Sequence, residues 1–283
     1  MEDDPTPRLR GHSTRVVAAR LLVERLGAAF ISWVDDLGGM SSMLVRLARG
    51  AVTPPWRVAL IFAHMDFLGV GSTFVVALTG LFTGMVFAKQ SLVAFALFNA
   101  ESLVGPTVII SIARELAPVF TALMVTMRAG SAMSTELGTM RVTEQIDALV
   151  TIAVDPLKYL VFPRLVAGMV MAPMLCMLFD AAGVIGTWFI AIVVEGLSFG
   201  TFITKTRFWV DPPDFELGLI KSVFFGLLVT LIACYKGFNA SGGAKGVGKA
   251  TTEAMVLTAV SIFVWDYFLN LVFIPILFPN IKS

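Results

Sequence analysis

Residues Glu136–Leu149 read ELGTMRVTEQIDAL, a polar stretch set between long apolar runs. Four of its fourteen residues are ionisable (Glu136, Arg141, Glu144, Asp147), and Gln145 adds a hydrogen-bonding amide, in a 283-residue chain that is 57% hydrophobic and 14% charged. Such a stretch faces water. Its surroundings do not: a mean hydropathy of +0.85 and 23 Phe, gathered into runs of about 20 apolar residues or more, exceed what a soluble core needs and match the length that crosses a bilayer. The chain reads as an all-α polytopic membrane protein.

Working outward, the apolar runs predict five spans at about 67–88, 104–127, 160–194, 217–236 and 254–278, with the polar stretch between the second and third. The third is longer than a bilayer requires, so it is expected to be tilted, bent at Pro173 or extended beyond the membrane. Fifteen Lys and Arg fall on the side of the N-terminus and the polar stretch. Five (Lys89, Lys205, Arg207, Lys221, Lys282) fall opposite, which predicts a cytoplasmic N-terminus and an outer C-terminus. The N-terminal sequence MEDD lacks a basic start with a short apolar region, so no cleaved signal peptide is indicated. An odd number of spans without visible internal repeat argues against the inverted-repeat plan of many secondary transporters, and a five-span bundle favours a path between two copies.

Residues 1–57 are expected to form a cytoplasmic N-terminal region with an interfacial helix, and 58–283 the transmembrane domain. Within 13–49, Leu22, Leu26, Phe30, Trp33 and Leu37 recur at three- or four-residue spacing with Arg15, Arg20 and Arg25 on other faces. That is the pattern of an amphipathic helix on a membrane surface; a soluble helix packed on its own protein is the alternative. Thr53, Pro54 and Pro55 end the pattern.

On a single helix, Val142, Ile146 and Leu149 of the polar stretch share one face and Met140, Glu144 and Asp147 another, while Arg141 reaches Glu144 or Gln145. Periodicity alone leaves two readings open, a solvated loop helix and an element that docks on a soluble partner.

The run Arg114–Leu149, RELAPVFTALMVTMRAGSAMSTELGTMRVTEQIDAL, followed by Val154, Asp155 and Pro156, resembles the signature of the MlaE (YrbE) family of ABC-transporter permeases. The likeness extends over roughly residues 10–280 and is weakest at the N-terminus and over 196–215. It implies that the stretch is a coupling helix seated on a cytoplasmic ATPase, carried by Glu136, Gly138, Thr139, Met140, Arg141, Glu144 and Gln145. It further implies a homodimer, a periplasmic ring of MCE-domain protein and, in some systems, a small STAS-domain subunit. The cargo would be phospholipid exchanged between the bacterial inner membrane and the ring; an Mce-type importer of sterols or fatty acids stays open beside it.

Gly243–Lys249, GAKGVGK, matches P-loop spacing up to its lysine, but Ala250 stands where Ser or Thr should bind magnesium and a membrane span rather than a strand precedes it. It resembles instead the last cytoplasmic loop of the family, with Thr251 or Thr252 as a cap of span five. ATP and magnesium are therefore expected on a separate ATPase chain, with no cofactor in this one.

Glu101 lies between spans one and two, after the run FALFNA that contains Phe98. By resemblance the segment AESLVG lines the family's lipid pocket; an ordinary interfacial acid is the alternative. Span one carries Leu78, Leu81, Phe82 and Met85 at helical spacing, interrupted by Gly80 and Gly84, a pair that allows close helix approach. Their role as an acyl-chain wall rests on the resemblance, beside simple packing. Arg114 and Glu115, adjacent and mid-span, point apart and each needs its own partner. Asp180 and Asp266 are further intramembrane acids, able to pair with such cations or, together with Glu101 in a proton-coupled secondary carrier, to relay protons.

Cys176 and Cys234 sit in apolar runs and read as small hydrophobes. His12 and His64 are too far apart for a metal site, no nucleophilic triad can be assembled, and no basic patch suits nucleic acid. A non-transporting scaffold that recruits a cytoplasmic partner is the remaining class of function.

Overall fold

The computed structural model describes residues 31, 34–49 and 57–279 of the chain. Leu22, Leu26, Phe30, Trp33 and the three arginines of the expected amphipathic helix lie outside them. Residues 34–49 form a helix, α1. The chain divides into two units, 1–46 and 47–283; in the first, Met40 and Met43 are buried and Leu37 is exposed.

The second unit is all helix among the described residues. Five helices are long and apolar enough to cross a membrane: α2 (Val58–Ala96), α3 (Glu101–Val142), α5 (Leu157–Val194), α7 (Pro212–Phe238) and α8 (Gly243–Leu277). Two shorter helices lie between them, α4 (Gln145–Thr151) and α6 (Phe199–Trp209). All five predicted spans are present, each longer than expected. Helices do not stop where apolarity stops, because the backbone hydrogen-bond ladder carries on into polar sequence until a cap or a turn ends it.

The ends show how. The first residues of α7 are two prolines behind Asp211, which forms a reciprocal capping box with Asp214. Gly242, with φ 88°, turns the chain into α8, so GAKGVGK is the first two turns of a helix. Thr251 and Thr252 are consequently inside α8, their hydroxyls donating to the carbonyls of Val247 and Gly248, and neither caps it. α5 accommodates Pro173 in its interior and is wound wider than an α-helix at Leu157–Val161 and Phe189–Val194.

α2 packs along α5, α5 on α7, and α7 on both α3 and α8. Glycine permits the closest of these approaches. A Cβ at Gly84 would collide with the backbone of Gly183, and one at Gly80 would lie 2.7 Å from the carbonyl oxygen of Phe179. The small residues read from span one therefore face α5. In the connection between α5 and α7, α6 seats Phe202 on Ile109 and Ala191. The sequence does not announce this helix, because its eleven residues are too polar for a span and too few for a clear periodic pattern. The outward faces of α2 and α8 remain apolar, with Phe74, Phe82, Val260 and Phe263 among their exposed residues, as lipid contact requires.

Candidate functional site

The polar stretch is not one helix. α3 continues to Val142, Glu144 adopts a left-handed conformation (φ 60°), and α4 begins at Gln145. No glycine is available at this turn, so a side-chain-bearing residue takes the strained conformation, at a cost of about 1–2 kcal/mol. Local contacts hold it. The Gln145 amide donates to Thr143 Oγ1 (3.1 Å), the Thr143 hydroxyl donates to the carbonyl of Thr139 (2.8 Å), and Ile146, 1% exposed, is the apolar anchor. The expected helix faces are accordingly corrected: Arg141 reaches across the break to Asp147 (2.7 Å) rather than to Glu144 or Gln145.

Of the candidate coupling residues, Thr139, Glu144 and Gln145 are exposed, Met140 and Arg141 half-buried. Gly138 is buried against α8, where a Cβ would come within 3.1 Å of Val247. Glu136, also exposed, pairs with Arg164 of α5 at 2.8 Å. Arg164 itself is buried and also donates to the carbonyl of Leu160 (2.6 Å). The polar rim is thus tied to α5 by a charge pair and to α8 by a hydroxyl contact between Thr135 and Thr251 (3.0 Å).

A groove of about 680 Å³ opens between α2 and α3. Leu78, Phe82, Val86 and Phe87 form one wall and Leu116 and Phe120 the other, with Thr79, Thr83 and Gln90 as its polar groups. Phe120 is backed by Phe179, stacked at 6.2 Å between ring centroids. Of the candidate lipid contacts, Leu78 and Phe82 line the groove. Leu81 and Met85 do not: a Cβ on Gly186 of α5 would run into the Leu81 carbonyl and come within 3.1 Å of Met85 Cγ. The lining positions 78, 79, 82, 83, 86, 87 and 90 centre on a face about 100° of helix rotation beyond Leu78, and Leu81 and Met85 fall on the other side of Leu78. Phe98 and Glu101 are outside the lining, Phe98 exposed and Glu101 half-buried, at the turn joining α2 to α3.

Five charged residues, Arg114, Glu115, Asp214, Lys221 and Asp266, form a paired cluster. The wide turn Ile112–Leu116 directs Arg114 to Asp214 (2.6 Å) and Glu115 to Lys221 (2.8 Å). Lys221, fully buried, also meets Asp266 at 2.9 Å, and Asn270 donates to Glu115 (3.1 Å). Arg114 lies over the Phe278 ring, 4.0 Å from its centroid. Asp180 is buried on α5, with one carboxylate oxygen lacking a hydrogen-bond partner. Lys221, counted in the sequence with the outer charges, is a core residue; its place well inside the apolar helix α7 was the available signal. Arg164, one of the fifteen Lys and Arg counted on the side of the polar stretch, is the buried anchor of the polar rim.

Five spans, a polar rim bonded into them and a groove open along the side define a polytopic α-helical permease. The family described as Permease MlaE matches residues 61–272, and the chain belongs to it. It is 36% identical to the "Probable ABC transporter permease protein" of Rickettsia felis, over 90% of this chain and 98% of that one. It is 35% identical to the "Intermembrane phospholipid transport system permease protein MlaE" of Haemophilus influenzae, over 88% and 95% respectively. A "Probable ABC transporter permease protein" of Synechocystis is 38% identical over 73% of this chain and 79% of its own length.

Proposed function

We propose that this chain is the non-catalytic membrane subunit of an ATP-driven phospholipid transporter. It works as a homodimer, with an ABC ATPase on the rim formed by Glu136–Thr151 and an MCE-domain ring at the opposite end of the bundle. A STAS-domain subunit is an optional addition on the ATPase side. The chain lies in a bacterial inner membrane with its N-terminus cytoplasmic and its C-terminus periplasmic, following the distribution of Lys and Arg. ATP and magnesium belong to the ATPase. The observation that carries the reading is the open groove lined by Leu78, Phe82 and Phe120. Its walls suit acyl chains and its few hydroxyl and amide groups suit the polar end of an amphiphile.

The packing supplies a route for the movement. A push on the rim reaches α5 through the Glu136–Arg164 pair, and α5 meets α2 at the Gly183–Gly84 contact. α2 carries one wall of the groove, so displacement of the rim alters the groove's width. Of the acids that a proton-coupled carrier would use, Asp180, Asp266 and Glu101, Asp266 is held in an ion pair with Lys221, which favours this reading over a relay through it.

Reconstitution tests it. In liposomes holding the chain, its ATPase and fluorescent phospholipid, Phe82→Trp is expected to cut ATP-dependent lipid movement about ten-fold while the ATPase stays bound. Arg141→Glu with Glu144→Lys is expected to release the ATPase. Movement that persists without the ATPase and collapses with the proton gradient would show a secondary carrier instead. Preferential extraction of sterol or fatty acid over phospholipid would assign the Mce-type import reading.

A further inference from the structure

A second recess, of about 190 Å³, lies where α2 begins and where the chain returns from α4 into α5. Arg57, Lys158 and Tyr159 line it, together with Ile61 and Phe162. The Arg57 guanidinium rests on the face of Tyr159, 4.2 Å from the ring centroid. Stacking of this kind fixes the guanidinium plane and leaves its N–H edge free to donate, the geometry in which arginine takes phosphate oxygens. No ion pair among the described residues involves Arg57. The carboxylate of Asp155, also in the lining, is turned to the backbone N–H of Leu157 at 3.0 Å.

Position decides the ligand. Arg57 immediately precedes α2 and Lys158 is the second residue of α5, both helices long and apolar enough to span. Residues 58–63, VALIFA, carry no charge, and Lys158 stands two residues before the apolar run that begins near 160, which sets the two cations beside apolar helix surface on the same end of the bundle as the polar rim. Ile61 and Phe162 continue the recess along the apolar sides of the two helices. The volume is below the roughly 300–1,000 Å³ of pockets that engulf a whole drug-sized ligand. A phosphodiester with its acyl chains lying outside on the helices suits it better than an enclosed amphiphile.

We infer that this recess binds the phosphate of an acidic phospholipid that stays with the protein, distinct from any cargo. It is separated from the groove by the 17 helical steps from Ile61 to Leu78 on continuous α2, about 25 Å along the axis. A lipid held there ties the first turn of α2 to the segment leaving α4, next to the polar rim. The recess keeps this role whichever lipid the groove carries.

Native mass spectrometry of the purified full-length chain, incubated with equal amounts of phosphatidylglycerol and phosphatidylcholine, reads the site directly. Wild type is expected to retain phosphatidylglycerol several-fold over phosphatidylcholine, as a recess with Arg57 and Lys158 against the single carboxylate of Asp155, and hence a net positive charge, should produce. Arg57→Ala with Lys158→Ala is expected to erase the preference, Arg57→Lys to keep part of it, and Leu78→Trp, which fills the groove, to leave it intact. Equal retention of both lipids by wild type overturns the inference without reference to any variant. So does a preference that survives the double substitution or disappears with Leu78→Trp. Suppression of the preference by millimolar inorganic phosphate would assign the recess to soluble phosphate rather than lipid.

Discussion

Arg164, 2% exposed on α5, holds the carboxylate of Glu136 at 2.8 Å, while the Glu136 side chain is itself 56% exposed. The two partners are therefore not equivalent. Removing the acid strands a buried guanidinium, whereas removing the base leaves a carboxylate already in reach of water. Glu136→Ala is expected to destabilise the protein by about 2–4 kcal/mol, and Arg164→Met by about half as much. Thermal unfolding in detergent orders the two. The reverse order would show that Arg164 matters for its packing more than for its charge.

The Glu144 turn gives a prediction of opposite sign. Glycine adopts φ 60° without the Cβ clash, so Glu144→Gly should raise stability by about 1 kcal/mol and leave the Arg141–Asp147 pair in place. If Glu144 is also a contact for the ATPase, the same variant will bind it more weakly although it melts later. Unfolding temperature and co-purification of the ATPase, measured on one preparation, separate the two roles.

Neighbouring positions of α2 differ in what they face. A photo-crosslinking residue placed at Leu78 or Phe82 is expected to capture lipid from the groove, and one placed at Leu81 to capture α5 within the same chain. The readout is the mass of the adduct. Lipid adducts of equal yield at 78, 81 and 82 would mean that the helix surface, not the groove, is labelled.

What was legible in the sequence follows the strength of each physical signal. The five spans were legible because uncharged apolar runs of about 20 residues match the thickness of a bilayer and outrun the amphipathic stripe of a soluble helix. Gly80 and Gly84 were legible as a contact surface but not as to their partner, since close approach needs a second helix whose spacing is set by tertiary packing. The break at Thr143–Glu144 was hidden because Glu and Thr carry no turn signature, and the left-handed residue is held by the burial of Ile146 in the folded bundle. Charges misled for the same reason: Lys221 and Arg164 are marked as polar by type, while their burial depends on acids carried by other helices. Glu101 and Phe98 lie in the connection between α2 and α3, whereas the groove is lined by the preceding part of α2, Leu78 to Gln90, against Leu116 and Phe120 of α3, a pairing that only tertiary packing sets.

The Lys221 cluster separates structure from proton chemistry. Lys221 meets both Glu115 and Asp266 while fully buried, so Lys221→Met leaves two carboxylates facing an apolar side chain. The cost is expected to be about 3–5 kcal/mol, reduced to the extent that Glu115, which is partly exposed, recovers solvation. Replacing the three together, as Lys221→Met with Glu115→Gln and Asp266→Asn, removes the stranded charges and should restore most of the lost stability. Asn270, which donates to Glu115 at 3.1 Å, can donate to the amide oxygen of the glutamine instead. If the cluster is purely a packing device, the triple variant moves lipid at the wild-type rate in reconstituted liposomes supplied with ATP. A triple variant that is as stable as wild type yet inactive would show that ionised side chains at Glu115, Lys221 or Asp266 take part in transport.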